Sequence, residues 1–136
     1  MRKRSKAREF ALQILYEIDI TGDDFKTVIK NFWSLVDDDV EDDVKKFSHE
    51  LVELVSQHRD LLDEKIARYA TNWEVDRMAV VDRNILRLGG SELLFRNDIP
   101  PKVSINEAVE LAKKFSGVQA GKFVNGILDK IKSEKQ

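Results

Sequence analysis

The sequence predicts an all-α protein of about seven helices in two packed helical subdomains. Three observations predict it. Apolar residues recur at three- and four-residue spacing along every long segment, which marks one buried helical face after another. The only prolines are adjacent, Pro100 and Pro101, so no other segment is barred from helix. No segment alternates apolar and polar residues strictly enough to compete as a strand.

The first helix is expected from about Lys3 to Ile20, with Phe10, Ala11, Ile14, Leu15 and Ile18 as its stripe and Thr21-Gly22 as its stop. Asp23 or Asp24 caps a second helix that turns Phe25, Val28, Ile29, Phe32 and Val36 inward. The acidic run Asp37 to Asp43 opens a third, because negative charge suits a helix N-terminus. Val40, Val44, Phe47, Leu51, Leu54 and Val55 form its face. A break near His58 to Asp60 leads to a fourth helix with Leu61, Leu62, Ile66 and Tyr69. Thr71 to Asp76, holding Trp73, reads as a loop. The fifth helix, about Arg77 to Arg96, is apolar on several sides and so central. Gly89 and Gly90 inside it point to close helix approach, since glycine there costs about 1 kcal/mol against alanine. Ser104-Ile105-Asn106-Glu107 has the form of a capping box for a sixth helix, closed by Ser116-Gly117. A seventh starts between Val118 and Phe123 and runs to about Lys132.

A chain of 136 residues, 42% hydrophobic and 35% charged, fits a single domain (1–136) with a real core. The subdomains are expected at about 1–58 and 59–136. The absence of cysteine removes disulfides, thiolate metal sites and thiol nucleophiles, and fits a reducing compartment. No apolar run approaches the roughly 20 residues of a membrane span. Glu9, Gln13, Glu17 and Asp19 interrupt any signal-peptide core after the basic start. The expected location is the cytoplasm, with no membrane partner.

Catalytic and metal-binding patterns are missing. His49 and His58 have no companion ligand motif. The acidic run lacks the glycine and alternating ligands of a calcium loop. Gly117-Val-Gln-Ala-Gly121-Lys122 is one residue short of a phosphate loop and has Phe123 where a Ser or Thr belongs. No catalytic residue, metal or cofactor is expected, and a binding module is favoured over an enzyme.

Charge gives the first functional signal. The net charge is −2 and the pI about 5.8, yet Arg2, Lys3, Arg4, Lys6 and Arg8 crowd the start. The C-terminal segment is also basic, and the middle is acidic. Segregated positive charge fits a polyanion contact, and equally a solvated terminus.

Four segments carry a resemblance: RKRSKAREFALQILYEIDI at the start, VVDRNILRLGGSELL (Val80 to Leu94), IPPKVSINEAVELAKKFSG (Ile99 to Gly117) and GKFVNGILDKI (Gly121 to Ile131). Together, and in this order, they resemble the NusB family of transcription antitermination factors across essentially the whole chain. KFVNGILDK and INEAVELAKKF are its specific parts, and the second helix and acidic run its least similar. The resemblance implies an all-α fold of two helical subdomains. It implies binding of single-stranded boxA RNA in nascent transcripts, notably of ribosomal RNA operons. It further implies pairing with the ribosomal protein NusE and read-through by RNA polymerase in an antitermination complex. Some members are similar to dimers, so a homodimer stays open. The fold is also similar to the N-terminal domain of rRNA cytosine methyltransferases. Those use cysteine, and this chain has none and ends at Gln136, so no catalytic domain is expected to follow.

On this basis Arg2, Lys3, Arg4, Lys6 and Arg8 are candidate phosphate contacts. Arginine adds stacking and forked hydrogen bonds to charge. The resemblance places Lys122 and Phe123, with Gln119 and Asn125, at the RNA. Phe123 either stacks on a base or packs in the core. Asn125 either donates to RNA or joins an internal network. Tyr16 and Asp82 match positions of NusE contact; Asp82 reads equally as a first-turn helix acid. Arg83 and Asn84 either serve that face or cap it internally. Besides the methyltransferase-like domain, a helical interaction protein without RNA affinity remains the other reading.

Overall fold

The computed structural model describes residues 2–36, 39–71 and 73–135. Asp37 and Asp38 of the acidic run, and Asn72 of the expected loop, lie outside them. The elements are α1 (Lys3–Thr21), α2 (Phe25–Leu35), α3 (Asp42–Tyr69), a 3-10 turn (Val75–Arg77), α4 (Val80–Phe95), α5 (Pro101–Ser116) and α6 (Val118–Lys135). No strand occurs among the described residues.

The all-α expectation holds, with six α-helices in place of about seven. The third and fourth expected helices are one, kinked at His58 (φ −119°, ψ 21°). The polar trio His58-Arg59-Asp60 interrupts the apolar stripe, but it contains no residue that stops a helix. The His58 ring instead stacks on Phe95 of α4, with centroids 3.9 Å apart. The stops at Gly22 (φ 74°) and Gly117 (φ 104°) stand where expected, in backbone conformations that suit glycine. Asp24 caps α2 by accepting from the Lys26 N–H.

Two helix starts differ from expectation. α4 begins at Val80, because Val75–Arg77 forms the 3-10 turn and Met78 and Ala79 are extended. α5 begins at Pro101, so Ser104 and Glu107 lie inside it and form no capping box. Ser104 Oγ donates to Glu92 Oε1 at 2.9 Å, and Glu107 accepts from Ser5 and Arg8.

α4 is the centre. Every residue from Asn84 to Leu93 is buried, and the helix packs on α1, α3, α5 and α6. A Cβ at Gly89 would sit 2.7 Å from Leu128 Cδ1 and 3.2 Å from Ala108 Cβ, so α5 and α6 approach through that glycine. α4 also buries two charges, Arg87 and Glu92. Arg87 binds Asp19 of α1 at 2.9 Å and Asp63 of α3 at 2.7 Å. Asp19 further accepts from Arg83 at 2.7 Å and Asn84 at 3.0 Å. Burial pushes the Asp19 carboxyl up, but the bonds from Arg83 and Asn84 and the charge of Arg87 outweigh it and hold it at about 2.

Two expectations follow for stability. Gly89→Val forces Leu128 and Ala108 apart and lowers unfolding free energy by about 1–3 kcal/mol. Gly126→Ala, with nothing within 4 Å of its Cβ, raises it by up to about 1 kcal/mol; urea titration of both variants checks the contrast. Asp19 titrates below its usual 3.8, so its stabilisation is complete above about pH 4 and is lost as pH falls through about 2. Asp98, held at about 2 by Arg96, titrates in the same range. Asp19→Asn should therefore remove only its own share of the acid sensitivity, about 2 kcal/mol, in unfolding curves between pH 4 and 2.

Candidate nucleic-acid interface

The five N-terminal cations divide into three groups. Arg2, Arg4 and Lys6 are exposed. The Arg4 guanidinium lies 4.4 Å from the centre of the Phe47 ring, with a loose contact to Asp98 at 3.9 Å. The Lys6 ammonium sits 5.0 Å from the Phe10 ring. Lys3 is exposed but engaged: its hydrogen bonds to Glu41 and Asp43 hold the ammonium above its usual range. Arg8 leaves the set. It is 2% exposed, and its guanidinium forks onto Glu92 with two 2.8 Å hydrogen bonds. Glu107 receives a third at 3.3 Å. Basic character and clustering mark Arg8 as a phosphate contact in the sequence, and the structure corrects this. Its i+4 spacing from Arg4 put both on one helix face, and that face turns inward one turn after Arg4.

The second group of candidates stands at the start of α6. Gly117 lets α5 end and α6 begin within one residue. Phe123 is half-buried against the core edge, yet it lines two surface hollows. The first, about 520 Å³, is bounded by Trp73, Met78, Asp82, Gln119 and Phe123. The second, about 320 Å³, is bounded by Tyr69, Trp73, Lys122, Phe123 and Lys130. One side of the Phe123 ring packs on the core and the other faces open space. Asn125 is exposed and lines neither hollow.

The structure does not gather the two groups into one hollow. The N-terminal cations lie against Glu41, Asp43, Phe47 and Asp98, and none of these lines a hollow beside Phe123. The expected partner residues lie on α1 and α4. Tyr16 is 42% exposed on α1, whereas Asp82 borders the Phe123 hollow. Asp82 Oδ1 is buried and has no hydrogen-bond partner among the described residues. Arg83 and Asn84 are turned inward onto Asp19.

Sequence reasoning missed Trp73. It is 57% exposed and borders both Phe123 hollows. A lone tryptophan in a polar loop was the available signal, since burying it is the ordinary way to place so large a ring. Trp73 also borders a shallow depression of about 760 Å³ carrying Asp63, Glu64, Glu74 and Asp76. Three of these carboxylates are paired, Asp63 with Arg87, Glu64 with Arg68 and Glu74 with Arg77. No described helix is long and apolar enough to cross a membrane.

Comparison with known proteins is consistent from end to end. The family model described as "NusB family" matches residues 5–133. The transcription antitermination protein NusB of Anaeromyxobacter dehalogenans is 49% identical over 131 residues, covering 96% of this chain and 91% of that protein. The solved structure of T. maritima NusB superposes with a TM-score of 0.87 at 34% identity, covering 96% of this chain and 91% of that one. NusB in a complex of antitermination factors NusB and NusE with double-stranded RNA gives 0.88 at 32% identity, covering 98% of both chains.

The division among the cations has a measurable consequence. Arg8→Ala leaves Glu92 buried without its counterion and should lower unfolding free energy by about 3–5 kcal/mol. Arg4→Ala, at the surface, should cost less than about 1 kcal/mol. Urea denaturation ranks the two, and equal costs would refute the division.

Proposed function

The chain belongs to the NusB family, and from that premise we propose that it is a non-enzymatic RNA-binding antitermination adaptor. It binds boxA-type single-stranded RNA in nascent transcripts, pairs with NusE, and in the antitermination complex promotes read-through by RNA polymerase, notably on ribosomal RNA operons. It acts in the cytoplasm. The observation that carries this reading is the exposed row Arg2, Arg4 and Lys6 on a chain whose net charge is −2. A local cationic patch on an acidic protein directs a polyanion to one place. The NusB of the complex named above is bound with NusE and double-stranded RNA, which supports NusE and RNA as partners here.

Lys122 and Phe123 supply a second RNA contact in which an aromatic face stacks on a base beside a cation. Gln119, exposed at the rim of the same hollow, and Asn125, on the open face of α6, extend it. NusE is placed on Tyr16 and along the four-carboxylate depression, where acidic charge steers a basic protein. Asp82, which borders the Phe123 hollow, joins Tyr16 as a NusE contact in this reading.

The test is RNA binding at several salt concentrations, with and without NusE. Affinity falls linearly with the logarithm of salt, and Arg4→Ala reduces the slope by about 0.7 for each phosphate contact removed. Phe123→Asp weakens binding by about 1–3 kcal/mol, the worth of one stacked base. NusE tightens RNA binding if the two share a surface. Binding that ignores salt and survives both substitutions sinks the assignment.

A further inference from the structure

Lys3 differs from its basic neighbours in having two carboxylates within reach. Its ammonium lies 2.5 Å from Glu41 and 3.2 Å from Asp43. Arg4 touches Asp98 loosely, at 3.9 Å. The fold builds the Lys3 contact. α1 and α3 run side by side in the same direction: Asp43 lies beside Lys3, Phe47 beside Arg4 and Arg8, and Ser48 Oγ donates to the Ala7 carbonyl at 2.7 Å. Val40, packed against the core, and the buried Val44 flank the two acids and fix their place at the surface. The bond to Glu41, then that to Asp43, holds the Lys3 ammonium above its usual range, and the bond from Lys3 holds the Asp43 carboxyl below its own. The Lys3 and Glu41 side chains are each 62% exposed and that of Asp43 63%, so a larger polyanion can reach and displace the contact.

We propose that Glu41 and Asp43 form an autoinhibitory clasp: they occupy Lys3 as a phosphate would, and RNA engages the start of α1 fully only by displacing them. This rests on the RNA-binding reading above and names what opposes it. Carboxylate and phosphate oxygens offer an ammonium the same charge-assisted bond. The clasp belongs to the same chain, so it competes at a fixed effective concentration, whereas RNA arrives from solution. An exposed ion pair is weak, so the clasp lowers affinity without closing the surface. Asp39 and Asp42, exposed in the same stretch, add to the negative field that an approaching phosphate meets. Salt screens the clasp as well as the RNA. Affinity therefore falls less steeply with salt than the number of phosphate contacts implies.

The test measures the affinity of the full chain for a short single-stranded boxA-type RNA across a salt series. Glu41→Gln with Asp43→Asn should raise affinity about fivefold at about 50 mM salt and leave it unchanged at about 500 mM, where screening is short-ranged. The salt slope should steepen by about 0.7, one phosphate contact. In a Lys3→Ala background the same two substitutions should give no gain, because the cycle isolates the Lys3 contact. Glu53→Gln with Asp60→Asn removes two exposed charges about 15 and 25 Å further along α3 and should change affinity by less than about twofold. If the Glu41 and Asp43 double variant folds poorly, Asp43→Asn alone is read, with an expected gain of about twofold. Affinity that is unchanged or lowered at low salt, while Arg4→Ala still reduces the slope, overturns the clasp and leaves the RNA-binding reading standing. A gain that persists in the Lys3→Ala background, or that the Glu53 and Asp60 variant matches, belongs to net charge and also overturns the clasp. Absence of RNA binding, with or without NusE, overturns both readings.

Discussion

Two ion pairs of opposite sense join α1 to α4, and the placement of every other element depends on them. α1 carries Arg8 near its start and Asp19 near its end; α4 carries Arg87 and Glu92. Arg8 meets Glu92, and Asp19 meets Arg87, with all four side chains 4% exposed or less. Charges that deep are tolerated only when paired and fully hydrogen-bonded. The pairs thus fix the antiparallel direction of the two helices and their register. Docking α1 in the reverse direction would set like charges against each other. Apolar side chains alone, being close to interchangeable in a core, would permit several registers.

The same pairs set the geometry of the proposed site. Arg8 holds the first turns of α1 in place, so Arg2, Arg4 and Lys6 project to solvent from a backbone that is anchored one turn later. Glu107 and Ser104 extend the anchor into α5, and α5 leads through Gly117 directly into the helix bearing Lys122 and Phe123. A chain of side-chain bonds and one short connection therefore relates the two proposed RNA contacts, although no hollow contains both. The depression lined by Asp63, Glu64, Glu74 and Asp76 meets the Phe123 hollows at Trp73, so carboxylates adjoin the proposed RNA contact.

The helices were legible because their apolar spacing is regular, and the family resemblance was legible because KFVNGILDK and INEAVELAKKF are long and specific. Errors arose where one residue type serves two purposes. Ser104 and Glu107 have the spacing of a capping box, but they satisfy charges on α4 and α1. Arg8 sits in a basic cluster, but it is a core residue. Spacing along one helix cannot report which neighbour lies across from it. His58 to Asp60 looked like a boundary because polarity interrupted the stripe, whereas a helix ends only when its backbone or its caps end it. Trp73 escaped notice because exposure is a property of the folded surface, not of the residue type.

Arg8 and Glu92 are separated by 84 positions, and this has a consequence for how the chain is made. On the ribosome α1 emerges before α4, carrying a guanidinium whose counterion has yet to be translated. Burying it early would strand a charge in an apolar environment. α1 must therefore stay solvated, or loosely collapsed on α2 and α3, until α4 is out of the exit tunnel. The native core closes only after α4 exists, and α1, translated well before it, is among the last segments to dock.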